Sequence, residues 1–336
     1  MRNIYFILFV TLFLSLTVED AWAQDPQFSQ PYAAPMFLNP ALCGDTYQNR
    51  IALNYRNQWS GIPGSFKAYS ASFDHRFKRG NNAIGISAIR DQAGVQGLRY
   101  SDVSAYFSHG VRTGTHSGLR FGLRLGYATR DHDKDKLLFW DQVVRGGAAQ
   151  TIEPFLMDKI SYMDAGSGVV YYSKKFWGGF SATHLNRPAY SLMDSGERMP
   201  VRYSIHTGFE FKVGKTAEGS EPSTINPVVH YKWEQGWEQL DIGAYWSKNA
   251  FMLGMWYRGI PIKTTDDFDY LDHDAIILMA GIEIDDRFRV GYSYDLTVSR
   301  LVSRTGGSHE IALVYEWPNE EMKKRQLQKI IPCPKF

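Results

Sequence analysis

The sequence predicts an all-β fold, a transmembrane antiparallel outer-membrane β-barrel of about fourteen strands. Three observations carry this expectation. Most of the chain alternates between apolar or aromatic residues and polar ones with a period of two, the side-chain period of a strand. A secretory leader opens the chain, and no later stretch approaches the length of an apolar membrane helix. The connectors between strand candidates alternate between short and long, as they do in barrels whose two ends face different compartments.

The alternation is clearest over 287–317. Phe288, Val290, Tyr292, Tyr294 and Leu296 share one face, with Arg289, Gly291, Ser293 and Asp295 on the other. After Gly306-Gly307 the pattern repeats, with Ile311, Leu313, Tyr315 and Trp317 against Glu310, Ala312, Val314 and Glu316. Leu119, Phe121, Leu123, Leu125 and Tyr127 oppose Arg120, Gly122, Arg124 and Gly126 in the same way, and Tyr203, Ile205 and Phe209 oppose Arg202, His206 and Glu210. A soluble sandwich also alternates. The leader, the strand number and an aromatic content of 15% favour a membrane wall with aromatic girdles.

Taken in order, Met1-Arg2-Asn3, an apolar run over 4–16 and Ala21-Trp22-Ala23 make 1–23 a signal peptide cleaved after Ala23. Residues 24–49 carry prolines and no alternation, and read as an N-terminal periplasmic or plug-like segment. The barrel is expected within 50–317. Its strands fall near 51–59, 66–77, 83–91, 98–112, 119–130, 163–174, 177–186, 201–213, 225–234, 239–247, 250–260, 275–285, 287–297 and 309–317. Connectors after even strands are short: 78–82, 113–118, Lys175, Lys248-Asn249 and Asp286. Connectors after odd strands include the longer 131–162, 187–200, 261–274 and 298–308. With both termini periplasmic, the long ones lie at the cell surface. The segments 214–224 and 235–237 run against this parity. Residues 318–336 form a basic tail expected on the periplasmic side.

Charge and chemistry narrow the function. The chain has 37 Lys and Arg against 35 Asp and Glu, so it has no polyanion-binding surplus and nucleic acid is not an expected partner. Cys43 and Cys333 form neither a CxxC pair nor a metal-ligand spacing. In an oxidising compartment both a disulfide and two unpaired thiols fit. There is no Gly-x-Ser-x-Gly elbow, and His309-Glu310 is not followed by a histidine at zincin spacing. His206 reads as an interior hydrogen-bonding residue. The chain is therefore expected to be non-enzymatic, without cofactor or metal; a Ser–His pair assembled across strands is the enzymatic alternative.

The inward charges Arg120, Arg124, Arg202, Glu210, Lys212, Arg289, Asp295 and Glu310 fit an ion-pair lattice filling a narrow lumen, or the lining of a selective channel. Their nearly balanced signs favour the lattice. In Tyr55-Arg56-Asn57-Gln58-Trp59 the alternation puts Tyr55 outward, Arg56 and Gln58 in the lumen, and Trp59 at an interfacial girdle. Arg56 and Asn57 are placed to hold the N-terminal segment through hydrogen bonds.

An ordered set of motifs runs through the mature chain. Asp25-Pro26-Gln27-Phe28-Ser29-Gln30 and Leu38-Asn39-Pro40-Ala41 are followed by Gly44. Then come Tyr55-Arg56-Asn57-Gln58-Trp59, His184-Leu185-Asn186-Arg187-Pro188 and Tyr257-Arg258-Gly259-Ile260-Pro261. Gly291-Tyr292-Ser293-Tyr294-Asp295, Gly307-Ser308-His309-Glu310 and Cys333-Pro334-Lys335-Phe336 complete the set. The chain resembles the PorP/SprF family of outer-membrane proteins of the type IX secretion system. The resemblance implies a barrel that works with the type IX export and gliding machinery. Its implied partners are a secreted adhesin or other cargo with a type B C-terminal signal, periplasmic and outer-membrane components of that machinery, and outer-membrane lipid. Asn39, Pro40, Gly44, Tyr55, Arg56, Asn57, Gln58, Trp59, Asn186, Arg187, Pro188, Tyr294, Asp295, His309 and Glu310 are then structural or partner-binding. Lys323, Lys324, Arg325, Lys335 and Phe336 are candidate periplasmic contacts. An outer-membrane channel for a small solute is the alternative function.

Overall fold

The computed structural model describes residues 25–77, 81–95, 97–133, 140–146, 159–192, 196–214, 222–265, 270–285, 287–299, 304–317, 331 and 333. The expected signal peptide lies outside them.

Fifteen strand segments form one sheet: β1 Asn49–Gln58, β2 Phe66–Arg76, β3 Asn82–Ala93, β4 Leu98–Arg112, β5 Gly118–Asp131, β6 Lys159–Tyr172, β7 Phe176–Thr183, β8 Arg202–Phe209, β9 Phe211–Val213, β10 Ser223–Glu234, β11 Trp237–Lys248, β12 Phe251–Thr265, β13 Tyr270–Ile284, β14 Phe288–Thr297 and β15 Ser308–Trp317. The segments β8 and β9 are one crossing interrupted at Glu210, since both pair with β10. The wall is thus a closed antiparallel barrel of 14 strands. Closure is made by β1 against β15, from Asn49↔Trp317 to Asn57↔His309. It removes the open edge that lipid cannot hydrogen-bond.

Alternation sorts the side chains as the sequence predicts. On β5, Phe121, Leu123, Leu125 and Tyr127 are exposed on the outer wall, while Arg120, Ala128 and Arg130 are buried. On β8, Ile205 and Phe209 are exposed and Ser204 and His206 are buried. Glu210 departs from the expected inward set. It sits in the break between β8 and β9, where its backbone N–H donates to the Lys175 carbonyl at 2.8 Å. Lys212 is exposed, so neither belongs to the interior lattice.

The end of the barrel where β1 begins and β15 finishes is here the near end; the opposite mouth is the far end. Residues 25–48 run inside the lumen from the far end to the near end and are almost all buried. They contain the short helix Pro35–Leu38 and the 3-10 turn Pro40–Leu42. Prolines open both, at the positions where a missing N–H costs nothing.

The wall accommodates this segment by leaving out side chains. A Cβ at Gly122 would lie 2.2 Å from the Ala41 nitrogen, and one at Gly168 would lie 2.0 Å from Asn39 Oδ1. The core of the molecule therefore sits between lumen segment and wall. Tyr32 meets Trp177 and Tyr245 edge-on at 6.3 and 6.0 Å. Leu38, Leu42, Val228, Trp256 and Ile277 join the same cluster. The lumen is thus part apolar core and part charge lattice, where alternation alone suggested a lattice throughout.

The chain end does not simply stay outside. Ile331 is 1% exposed in that same cluster, and its N–H donates to Asp45 Oδ1 at 3.0 Å. Cys333 lies beside the same carboxylate. Cys43 and Cys333 are both free thiols, so there is no disulfide between them.

The outward assignment has a direct energetic consequence. Leu125, midway along β5 and 55% exposed, faces hydrocarbon. Leu125→Arg should cost roughly 2–4 kcal/mol in denaturant unfolding from lipid vesicles, while an arginine at exposed His116 in the preceding near-end turn should be close to neutral.

Candidate functional site

Three clamps hold the lumen segment, and each is built from strand residues whose inward parity the alternation sets. The central clamp is the most buried. Glu310 of β15 accepts the backbone N–H of Ser29 at 2.6 Å and that of Gln30 at 3.1 Å, one on each carboxylate oxygen. Arg56, directly across the closing pair from Glu310, reaches Asp295 at 2.8 Å and Glu310 at 3.4 Å. Ser29 Oγ accepts from Arg56 Nη1 at 2.5 Å and donates to Asp295 Oδ2 at 2.6 Å. Arg258 Nη2 also donates to Ser29 Oγ, at 3.2 Å, and Arg258 pairs with Asp241 at 3.1 Å. Two arginines and two carboxylates thus meet on one serine and the peptide beside it, with Asp241 backing Arg258. Charges at this depth persist because each has a hydrogen-bonded counter-charge.

At the far end, Asp25 pairs with Arg202 at 2.7 Å and with His184 Nε2 at 2.9 Å. The other ring nitrogen of His184 meets Asp164 at 3.0 Å, and Arg124 bridges Asp164 and Asp102. His184 lies beyond the end of β7. Burial disfavours its charged form, but the carboxylates of Asp25 and Asp164 outweigh burial and raise its pKa to about 9.

At the near end, Arg50 forks onto Asp74 with both contacts at 2.9 Å and also donates to the carbonyls of Leu42 and Asp45. Asp74 Oδ2 accepts the Gly44 N–H at 2.7 Å. Gly44 has φ +72°, and a Cβ there would lie 2.1 Å from that of Ala83, so this turn admits only glycine. Arg120 donates to the Ala41 carbonyl at 3.0 Å and to that of Cys43. Irregular backbone inside a membrane protein needs such partners for its carbonyls. Asn39 completes the turn. Its Oδ1 accepts the Ala41 N–H at 2.9 Å, and its amide donates to the carbonyls of Val169 and Phe180 and meets His206 Nε2.

The other motif residues divide. Pro40 opens the 3-10 turn. Arg56, Asp295 and Glu310 belong to the central clamp. Asn57 does not hold the lumen segment, because its Oδ1 is buried without a partner among the described residues. Gln58 and Trp59 line the far-end mouth, with Trp59 at φ 56°. Tyr55 faces outward against Tyr69 at 5.0 Å. Tyr294 and His309 meet at 5.1 Å with their rings tilted on that outer face, so His309 stays outside the lumen although its neighbour Glu310 is central. Asn186 caps the edge of β6, accepting the Ala165 N–H at 3.0 Å and donating to the Met163 carbonyl at 2.7 Å. Arg187 takes φ 45° beside it and is exposed, whereas Pro188 is buried. Lys323, Lys324, Arg325, Lys335 and Phe336 lie outside the described residues. Among the described residues no cluster of three His, Cys, Asp or Glu could hold a metal.

Sequence reasoning left Arg50, Asp74, Asp102, Asp164 and Asp241 out of the site. All are inward carboxylates or guanidinia by parity, and a strand-by-strand census of interior charge could have found them. What parity cannot find is which interior charge faces which. That depends on closing the barrel.

The family model for the type IX secretion system membrane protein PorP/SprF matches residues 21–315. Among individually curated proteins none matches the chain in sequence. Similar solved structures are outer-membrane proteins. The Acinetobacter baumannii outer membrane protein Omp33 shares 8% identity over 82% of this chain and 100% of its own, with a TM-score of 0.44. The Pseudomonas putida toluene transporter TodX shares 9% over 84% of this chain and 93% of its own, with a TM-score of 0.48. The monoaromatic hydrocarbon channel CymD shares 11% over 87% and 94%, with a TM-score of 0.47.

Two outcomes follow from the clamps. Arg56→Met leaves Glu310 and Asp295 buried with less counter-charge, and should destabilise the folded barrel by roughly 3–5 kcal/mol in equilibrium unfolding. His184 holds its proton more tightly folded than unfolded, where its pKa is near 6.5. Its contribution is therefore complete below about pH 6.5 and lost as pH rises through about 9. Proteolysis at the start of the lumen segment should rise between pH 8 and 10 in the wild type, by about tenfold, and stay flat with pH in His184→Asn.

Proposed function

Because the chain belongs to the PorP/SprF family of type IX secretion system membrane proteins, we propose that it serves this machinery as a closed outer-membrane barrel. In this reading it supports secretion or surface attachment of a large adhesin or another protein with a type B C-terminal signal. It works as a docking platform for other components, carries no cofactor and catalyses no reaction. The longer connectors of the far end face the cell surface, and the near end, where β15 finishes and Ile331 packs, faces the periplasm. The expectation of a periplasmic N-terminal end does not hold in this orientation, because Asp25 is held by Arg202 and His184 at the far end.

The observation that carries the reading is the filled lumen. A solute channel needs a continuous path, and a lumen segment held by many buried charge-assisted bonds obstructs it. The Glu310–Arg56–Asp295–Ser29 clamp has no evident purpose in a barrel built to conduct. The near-end seal extends to the chain terminus through Ile331 and Asp45. In this reading the basic residues Lys323, Lys324 and Arg325 of the tail, with Lys335 and Phe336, meet periplasmic components of the machinery.

Planar-bilayer recording on the full-length barrel tests the closed state. The expected trace is silent, with discrete conductance appearing when residues 25–48 are deleted. Steady single-channel steps from the wild type would favour the small-solute channel. In cells, deletion of the whole protein should remove a surface adhesin while leaving other outer-membrane barrels in place. An unchanged surface proteome would sink the export reading.

A further inference from the structure

At the far end the lumen segment stops short of the mouth and leaves a vestibule of about 350 Å³. That is within the range of roughly 300–1,000 Å³ typical of small-ligand sites. Trp59, Phe66, Leu98 and Tyr100 supply apolar and aromatic wall. Arg130 of β5 lies in the same cavity and is 7% exposed.

Arg130 differs from the other arginines of the mouth. Arg99 is paired with Asp131, Arg56 with Asp295 and Glu310, and Arg202 with Asp25. Arg130 donates from Nε to the Tyr162 hydroxyl at 3.2 Å, and among the described residues its two terminal nitrogens meet no carboxylate. Its guanidinium lies instead over the rings of Tyr100 and Tyr190, at 5.5 and 4.8 Å. A guanidinium fork in contact with two aromatic rings is restrained in position and offers its remaining N–H groups to the cavity. A nine-tenths buried guanidinium with unused donors facing a cavity is incomplete.

Strand register adds a second point. Asp91 pairs with Tyr100 across β3 and β4, and Tyr100 pairs with Arg130 across β4 and β5. Asp91 and Arg130 therefore stand in one inward row, two strands or about 10 Å apart, with Tyr100 between them. The Asp91 carboxylate also lines the vestibule and has no side-chain partner among the described residues. Asp25 lines it too, and its Oδ2 is shared by Arg202 and His184. Ala68, paired with Asp91 in the same row, provides the space.

We propose that this vestibule is a carboxylate-binding site. The carboxylate forks onto Arg130, a flat apolar or aromatic body lies against Trp59 and Tyr100, and a hydrogen-bond donor at the ligand's other end reaches Asp91. A free aromatic acid and the C-terminal end of a polypeptide both carry this chemistry. The site rests on geometry alone and does not depend on the secretion reading, so either can fail without the other.

The test is isothermal titration of the detergent-solubilised full-length protein with benzoate and with the tripeptide Gly-Gly-Phe. Both acids should saturate one site, and benzamide and the tripeptide amide should bind at least tenfold more weakly. Arg130→Gln should lose at least tenfold in affinity while keeping the heat-modifiable electrophoretic shift of a folded barrel. Ala93→Trp, which fills the vestibule without touching its charges, should lose binding to the same extent. Tighter binding by the tripeptide than by benzoate assigns the site to polypeptide ends, and the reverse assigns it to free acids. Absence of saturable binding, or equal binding by Arg130→Gln or by the amides, overturns the proposal.

Discussion

The grip of Glu310 on two consecutive backbone N–H groups, with Arg56 neutralising it, is the contact on which the rest of this molecule depends. It joins the last strand, the first strand and the segment inside the lumen in a single buried group of atoms. The strand pair β1–β15 that closes the barrel carries both partners, Arg56 opposite Glu310. Closure of the wall therefore completes the clamp, and the clamp sits on the seam. A barrel that closed without the segment would leave two carboxylates and two guanidinia facing an empty lumen. That state is costly in any medium less polar than water.

The lumen segment plays the part that a hydrophobic core plays in a soluble domain. A barrel of this strand number is too wide for its own side chains to fill. Here the filling is a piece of the chain itself, with Tyr32, Leu38 and Leu42 packed on one wall and carbonyls satisfied by Arg50 and Arg120 on the other. The apolar filling is met by Val170 of β6, Trp177 of β7, Val228 of β10 and Ile277 of β13, while arginines and carboxylates come from all round the wall, Asp164 of β6, Arg202 of β8, Asp241 of β11 and Arg258 of β12 among them. Missing side chains at Gly122 and Gly168 let the backbone of the 3-10 turn approach the wall.

This arrangement links fold to function through what is left unfilled. The near end is sealed by the 3-10 turn and by Ile331, and the far end keeps an open vestibule. A barrel closed at one mouth and concave at the other is a receptor-like shape rather than a conduit. The aromatic and charged residues of that mouth come from the ends of strands, where loops do not disturb their placement. In a secretion component, such a mouth offers a rigid surface to a partner that is itself extended or loosely ordered.

The wall was legible in the sequence because a strand's side-chain period is local: Leu119–Tyr127 and Phe288–Leu296 each state their two faces without reference to any other element. The break at Glu210 was not legible, since it depends on a bond to the Lys175 carbonyl from a neighbouring strand. The inward charges were visible one by one, but alternation could not say that Arg56 meets Glu310, that Asn57 Oδ1 has no partner among the described residues, or that His309 turns away while the next residue turns in. The sequence by itself determined the strands, their number, their lipid face and the sign of the interior charge, because each of these is written within about ten residues. Only the tertiary structure decided what fills the lumen, which charges pair and where a guanidinium is left over, because those depend on residues some 280 positions apart being brought together by closure of the sheet.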